Sequence, residues 1–306
     1  MMATLTNAHT HLELGWLAEI CPDETGRDFT PWLQDLGQRR QKLTMMGCFA
    51  ESTFRRAVDA GIEALVAAGT THITDISTTG SSIHPLLTSG LQGVVYVEIM
   101  GQFAEQADRA LAMARYLIDE ARPKEHSGMR IGLSLQSPLS IHPALWKKGL
   151  AYARDADLPL CIHIAESPAE YDWLIKDAGP FAEQNREMGI AVSSPRKTPI
   201  QYLEDLGALD LQSLLVHGVQ VNETDIQRIK AAGSRVVHCP RSNQRLRCGR
   251  MPLELYLKHE VLVYLGTDSL ASSPSLDVRD EVDAAIALHA GFVEPDVIRA
   301  MATRQF

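Results

Sequence analysis

The feature that most constrains the fold is a regular alternation of short β-rich runs and helical stretches along the chain. The helical stretches carry apolar residues at helical spacing, as at Phe54, Val58 and Leu65. Such alternation predicts parallel strands connected by helices. The predicted strands are Leu5–His11, Thr71–Ile76, Gly93–Met100, Arg130–Leu135, Leu158–Ile164, Leu214–His217, Arg235–Cys239 and Val261–Gly266. Eight such units fit in the ~250 residues of an α/β TIM barrel, so we predict that residues 1–306 form a single (β/α)₈ barrel domain.

A doubly wound open sheet is the structural alternative. That fold usually carries a glycine-rich G-x-G-x-x-G turn after an early strand, and the sequence contains no such motif. Two connections are long and weakly periodic. We expect residues 12–47 to be a long connection with one helix, and residues 179–212 to be a loop with a helix near 200–206.

Composition narrows the class of protein. The net charge is −9 and no long basic run occurs, which argues against nucleic-acid binding. No apolar stretch approaches the ~20 residues that span a bilayer, so we expect no membrane association. The five cysteines are odd in number and form no C-x-x-C motif, which favours a reducing compartment. We therefore expect a cytoplasmic protein.

Histidines stand at the ends of predicted strands, where the active sites of such barrels lie. His9 and His11 end the first run, and because strand side chains alternate, residues two apart face the same way. The later strand ends carry His163, His217, His238 and Asp268. A lone strand-end histidine is more often a hydrogen-bonded structural residue, but this set at successive strand ends favours one shared site.

The donor types in this set predict a metal site. His9, His11, His163 and Asp268 offer nitrogen and carboxylate ligands that suit one divalent ion, with Zn²⁺ as the first expectation and Fe²⁺ as the second. One position would remain for a water molecule whose pKa the ion lowers.

Three side chains are predicted to handle protons at this site. Asp268 could take the proton of the water, and Glu166 could protonate a ring nitrogen of the substrate. His217 could polarise the water or stabilise developing charge. His238, Ser242 and Asn243 are predicted to contact substrate; the alternatives are an orienting role for His238 and a turn hydrogen bond for the other two.

At this point the residues resemble the amidohydrolase superfamily, in its deaminase and chlorohydrolase branch. The matching motifs are H-T-H-L at 9–12, H-I-A-E at 163–166, His217, H-C-P-R-S-N at 238–243 and T-D-S at 267–269. The resemblance implies one metal ion held by His9, His11, His163 and Asp268, with Glu166 and His217 as the proton-handling pair. The binuclear branch uses a carboxylated lysine at the end of strand four, and residues 133–138 contain none.

Two segments bear on the substrate. In nucleoside-type deaminases of this branch a histidine is common where Gln136 stands and a tyrosine where Leu139 stands, which implies a substrate different from adenosine-type nucleosides. The long first connection, with Glu13, Phe29 and Trp32, resembles the same segment of aminodeoxyfutalosine deaminase-like members. We expect Gln136 and Trp32 to contact substrate, with a packing role as the alternative for Trp32.

Family members usually have a small β-sandwich built from both termini. The sequence begins eight residues before His9 and ends at Phe306, so we expect a barrel without this accessory sandwich. Apolar barrel surface exposed in its absence would favour a partner protein, a homodimer or aggregation.

The predicted function is metal-dependent hydrolysis that replaces an exocyclic amino group of a nitrogen heterocycle with oxygen, with a 6-aminopurine or nucleoside-like molecule as the first choice of substrate. Hydrolytic dechlorination and amide C–N hydrolysis at the same site are alternatives. A catalytically degenerate, shortened barrel with a binding or structural role is a further alternative, from a different class.

Overall fold

The computed structural model describes residues 4–126, 128–190 and 192–305. Within these residues the eight strands form one parallel sheet in sequence order. The strands are β1 (Leu5–Thr10), β2 (Thr70–Ser77), β3 (Gln92–Ile99), β4 (Met129–Leu135), β5 (Leu160–Ile164), β6 (Leu214–His217), β7 (Arg235–His238) and β8 (Val263–Leu265). Each lies where the alternation predicted a strand, with ends that differ by two residues or fewer.

The first and last strands meet, which brings the sheet close to a closed barrel. Thr10 forms a parallel bridge with Asp268 just beyond β8, and the Asp268 N–H donates to the His9 carbonyl at 3.0 Å. The predicted (β/α)₈ barrel is therefore confirmed.

Helices surround the sheet and cover its outer face. They are α1 (Phe29–Thr44), α2 (Cys48–Ala67), α3 (Ile83–Thr88), α4 (Ala107–Ala121), α5 (Pro143–Asp155), α6 (Pro168–Lys176), α7 (Pro180–Glu187), α8 (Pro199–Asp205), α9 (Glu223–Ala231), α10 (Pro240–Arg245), α11 (Leu253–Lys258), α12 (Val278–Leu288) and α13 (Pro295–Met301). No helix among the described residues combines the length and apolar character needed to cross a membrane.

The barrel interior is filled by buried side chains from seven of the eight strands. They include Ala8, Ile76, Val94, Tyr96, Cys161, Leu214, Val216, Val237 and Tyr264. The remaining strand, β4, contributes Gly132, where an added Cβ would lie 2.6 Å from the Tyr96 ring. The glycine therefore makes room for the ring of Tyr96.

The two long connections are more ordered than predicted. The first contains a 3-10 helix at Leu12–Ile20 before α1. The second contains α7 in addition to the expected α8, so the prediction of a mostly loop segment was wrong. Helix α7 buries only Phe181 and Ala182, and its residues from Glu183 to Glu187 are all polar. Such a short buried face gives little periodic signal.

Candidate metal centre and active site

Four side chains from β1, β5 and the residues after β8 bring their ligand atoms together. The Nε2 atom of His163 lies 3.2 Å from Nε2 of His9 and 3.2 Å from Nε2 of His11. The Oδ1 atom of Asp268 lies 3.6 Å from Nε2 of His9 and 3.6 Å from Nε2 of His11. Ligands at ~2.0–2.1 Å around one tetrahedral zinc ion are about 3.3 Å apart, so the spacing of these donor atoms fits a single ion.

The protonation states of the histidines also fit a metal. Burial lowers the pKa of His9 to about 4 and that of His11 to about 3, and it lowers the pKa of His163 as well. All three imidazoles are therefore neutral at pH 7. Neutral rings whose Nε2 atoms face one another present lone pairs to a common centre, which is the form that metals bind.

Neighbouring groups orient these ligands. His163 Nδ1 lies 3.0 Å from the backbone carbonyl of Gln136, to which it donates, so its Nε2 is left as the acceptor. Asp268 Oδ2 accepts hydrogen bonds from Ser242 Oγ at 2.7 Å and Ser272 Oγ at 2.8 Å. The two hydroxyls occupy one carboxylate oxygen and leave Oδ1 directed at the histidines. Ser272 was missed by the sequence analysis.

Glu166 and His217 form a second pair beside the histidines. Glu166 Oε1 lies 3.4 Å from His217 Nε2, and both side chains are buried. Burial, together with the carboxylates of Asp268 and Glu170, raises the pKa of Glu166 well above its usual range. The raised pKa favours the protonated form of Glu166, which is the form a general acid needs.

Two further residues position this pair. Glu170 accepts hydrogen bonds from the backbone N–H groups of Ala165 at 3.0 Å and Glu166 at 2.8 Å. The His217 Nδ1 atom lies 2.9 Å from Asn243 Oδ1 and donates to it, so Nε2 faces Glu166 as an acceptor. Glu170 was also missed by the sequence analysis, because an acid in the first turn of a helix is typical of any helix.

The backbone is left-handed where three strands enter the site. Ala165, His217 and Asp268 have φ values of 53°, 77° and 60°. Residues with a Cβ rarely adopt this conformation, which costs roughly 1–2 kcal/mol each. Two of these residues, His217 and Asp268, are candidate site residues themselves, and Ala165 directly precedes Glu166, so the strained backbone coincides with the candidate site.

The structure places Ser242 and Asn243, both predicted to contact substrate, against Asp268 and His217 respectively. Their hydrogen bonds orient those side chains. Gln136 lies beside His163 and is partly exposed, and its side-chain carbonyl accepts from Ser137 Oγ at 2.7 Å.

Two other residues predicted to contact substrate have protein partners. His238 Nε2 lies 3.2 Å from Nε2 of His289 at the end of α12, and both rings are fully buried. The Trp32 indole N–H donates to the Ala271 carbonyl at 2.9 Å, and its ring packs near Phe29. The alternative roles, orientation for His238 and packing for Trp32, fit these contacts better.

Comparison with known proteins identifies relatives over nearly the whole chain. The aminodeoxyfutalosine deaminase of Deinococcus radiodurans is 33% identical over 310 residues, covering 96% of this chain and 69% of the relative. The protein of the same name from Nitratiruptor sp. is 30% identical over 308 residues, covering 98% of this chain and 72% of the relative.

Solved structures share the fold. Helicobacter pylori aminofutalosine deaminase in complex with methylthio-coformycin gives a TM-score of 0.80 at 22% identity, covering 98% of this chain and 71% of that one. A zinc-bound adenosine deaminase from Xanthomonas campestris gives a TM-score of 0.76 at 22% identity, covering 98% of this chain and 62% of that one. The sequence profile of the amidohydrolase family matches residues 1–305. The resemblance seen in the motifs is thereby confirmed, and the chain belongs to the amidohydrolase family.

Proposed function

We propose that this protein is a metal-dependent hydrolase that removes an exocyclic amino group from an aminopurine- or nucleoside-like heterocycle. The observation that carries the proposal is the pairing of buried Glu166 with His217 beside four converging ligand side chains, those of His9, His11, His163 and Asp268. The deaminase names of relatives that are 33% and 30% identical support the same reaction class.

The metal would be held by His9, His11, His163 and Asp268. Their three nitrogens and one carboxylate oxygen suit Zn²⁺ first and Fe²⁺ second, and a structural neighbour contains zinc. Such an ion, when bound, acidifies a water molecule so that it can attack near pH 7.

The side chains of this protein would then move the protons. Glu166 donates its proton to the ring nitrogen beside the carbon under attack, which makes that carbon more electrophilic. His217 accepts a hydrogen bond from the attacking water at Nε2, and Asp268 takes the water proton at its carboxylate. A C–O bond forms, the proton taken by Asp268 passes to the amino nitrogen, and the C–N bond breaks so that ammonia leaves. The remaining hydroxyl proton returns to Glu166 as the product carbonyl forms, which restores the acid.

The experiment combines metal analysis with a substrate panel. We expect purified protein to hold zinc or iron tightly, and metal-loaded protein to release ammonia from a 6-aminopurine derivative. The variant His163→Ala should lose both properties, whereas His84→Ala, an exposed histidine on α3, should keep them.

Other outcomes separate the alternatives. Chloride release from chlorotriazines without ammonia release would replace deamination by dechlorination, and turnover of cyclic amides alone would favour amide hydrolysis. A stable protein that does not bind added metal would leave only the alternative of a catalytically degenerate barrel with a binding or structural role.

We also propose a reducing, cytoplasmic location. All five cysteines are free thiols, and Cys48 is exposed, a state that persists in the cytosol and is rare in oxidising compartments. Fractionation of the source cells would test this.

A further inference from the structure

Glu98 is a buried carboxylate that the proposed reaction does not use. It lies near the end of β3, in the run Val94, Val95, Tyr96, Val97, Glu98. Val94 and Tyr96 belong to the barrel interior, and because strand side chains alternate, Glu98 faces the interior as well. It retains 8% of its surface exposed.

The exposed part of Glu98 faces the mouth of the barrel that holds the candidate metal ligands. A cavity at the opposite, amino end is lined by Val94 and Tyr96 but not by Glu98, since Tyr96 separates the two. Glu98 pairs in register with Ser134 on β4, which pairs with Cys161 on β5. Because the strands of such a barrel are tilted, with a shear of about 8, side chains at one height advance by about two residues between alternate strands. Glu98 on β3 therefore lies in the same layer as His163, two residues after Cys161.

The contacts of Glu98 leave one oxygen available. Thr78 Oγ1 donates to Oε2 at 2.6 Å, which requires the carboxylate to act as an acceptor. Among the described residues no cation lies within ion-pair distance of Glu98. A carboxylate buried without a cation is costly, and such groups are typical of sites whose partner is a ligand.

Arg40 is a charged side chain whose field acts on both Glu98 and His11. It lies on α1 between Leu36 and Leu43, which are buried, at the spacing of one helix face. Its charge lowers the pKa of Glu98 and also that of His11, although burial has the larger effect on each and raises the pKa of Glu98. This influence agrees with the position of Glu98 on the strand register, at the same end of the barrel as His11.

We propose that Glu98 is a specificity-determining residue whose free carboxylate oxygen accepts hydrogen bonds from sugar hydroxyls of a nucleoside substrate. This inference rests on the proposed function, which fixes the reacting end of the heterocycle between Glu166 on the β5 side and the metal ligands. The rest of the substrate then extends over β2, β3 and β4, which supply no metal ligand. A carboxylate accepts from two neighbouring hydroxyls at once, and hydrogen bonds to charged groups are the stronger kind.

The test compares adenosine with 2′,3′-dideoxyadenosine, which lacks both hydroxyls. The zinc-loaded protein should prefer adenosine in kcat/KM, and Glu98→Ala should lower kcat/KM for adenosine about 10- to 100-fold, mainly through KM. The same variant should change kcat/KM for the dideoxy compound less than about threefold, since no hydroxyl contact is lost. Glu98→Gln keeps the volume and one carbonyl acceptor, so an intermediate loss is expected. Glu120→Gln, an exposed glutamate on α4, is the matched control.

Calorimetry measures the affinity for the same two compounds without requiring turnover. It therefore tests the role of Glu98 independently of the deamination reaction. If the wild-type protein releases ammonia from neither compound, deamination of such nucleosides fails, and the affinity ratio of adenosine to the dideoxy compound still reports on Glu98. A wild type without preference, or a preference that survives unchanged in both Glu98 variants, would overturn the inference. Retained zinc and an unchanged circular dichroism spectrum establish that the variants are folded.

Discussion

The amino end of the barrel contains a cavity of about 490 Å³, whereas the carboxyl end contains four ligand atoms whose closest separations are 3.2 to 3.6 Å. The amino-end cavity is lined by His72, Asp157 and Arg235, among others. Within the part of the chain that the structure describes, no group of three His, Cys, Asp or Glu side chains that could share an ion lies there. At the carboxyl end, buried histidines and carboxylates with displaced pKa values face one another. We therefore propose that the chemistry takes place where buried polar atoms converge and not at the open amino-end cavity.

The largest effect should come from removing a candidate ligand at the carboxyl end. His163→Ala removes the imidazole whose Nε2 lies 3.2 Å from both His9 and His11. We expect loss of the bound ion and activity at background, measured by elemental analysis and ammonia release. A variant that keeps its metal would show that the ion binds elsewhere.

Glu166→Gln tests proton transfer apart from metal binding. Because the amide cannot donate an acidic proton, kcat should fall by about 10²–10⁴. The metal content should stay at the wild-type level, since Glu166 is not one of the proposed ligands. If Glu166→Gln lost metal and rate to the same extent, proton transfer by Glu166 could not be separated from metal binding by the proposed ligands, and the prediction would be contradicted.

Ser272→Ala removes one of the two hydroxyls that hold Asp268. Loss of such a supporting hydrogen bond typically costs about 10- to 100-fold in metal affinity or activity. Competition with a chelator would measure the affinity. Ser273→Ala, whose hydroxyl donates to Glu281 instead, is the neighbouring control, and a matching loss there would point to general destabilisation.

The pH profile should reflect the raised pKa of Glu166. The acid is active when protonated, so kcat/KM should fall as pH rises through that pKa, by about tenfold per pH unit above it. Glu170→Gln removes a carboxylate that raises the pKa of Glu166, so the fall should move to lower pH. A rate that stays flat across the alkaline range would exclude Glu166 as the acid.

The smallest effect is expected at the amino end. Arg235→Ala changes the lining of the larger cavity but lies at the opposite end of β7 from the site. We expect kcat and KM within about twofold of wild type, as for surface substitutions away from special features. A large change in KM would show that the amino-end cavity takes part in substrate binding, contrary to the assignment of the site to the carboxyl end.

Much of the fold and the candidate ligand set can be predicted from the sequence, because both depend on local periodicity. Alternation along β1 and β5 and the parallel order of the strands place His9, His11 and His163 at one mouth. The roles of Ser272 and Glu170 depend instead on how the segments after β8 and β5 turn to bring these side chains against Asp268 and Glu166. The spacing of residues in the sequence does not predict such turns.

The direction of individual side chains at strand ends was harder to predict. His238 ends β7 as His217 ends β6, yet His238 contacts His289 in the helical layer while His217 turns inward at φ 77°. Glu98 is the single charged residue of the otherwise mostly apolar strand β3, which is the sequence feature that could have indicated a functional role for it.

The left-handed turns at Ala165, His217 and Asp268 also limit how the protein can be altered. Glycine, asparagine and aspartate tolerate such a backbone, whereas β-branched residues would add steric strain to any chemical change. A mutational library would thus leave few acceptable substitutions at these three positions. Positions with ordinary backbone, such as Glu98 and Gln136, carry no such restriction, so new substrate preference is easier to obtain there than a new reaction centre.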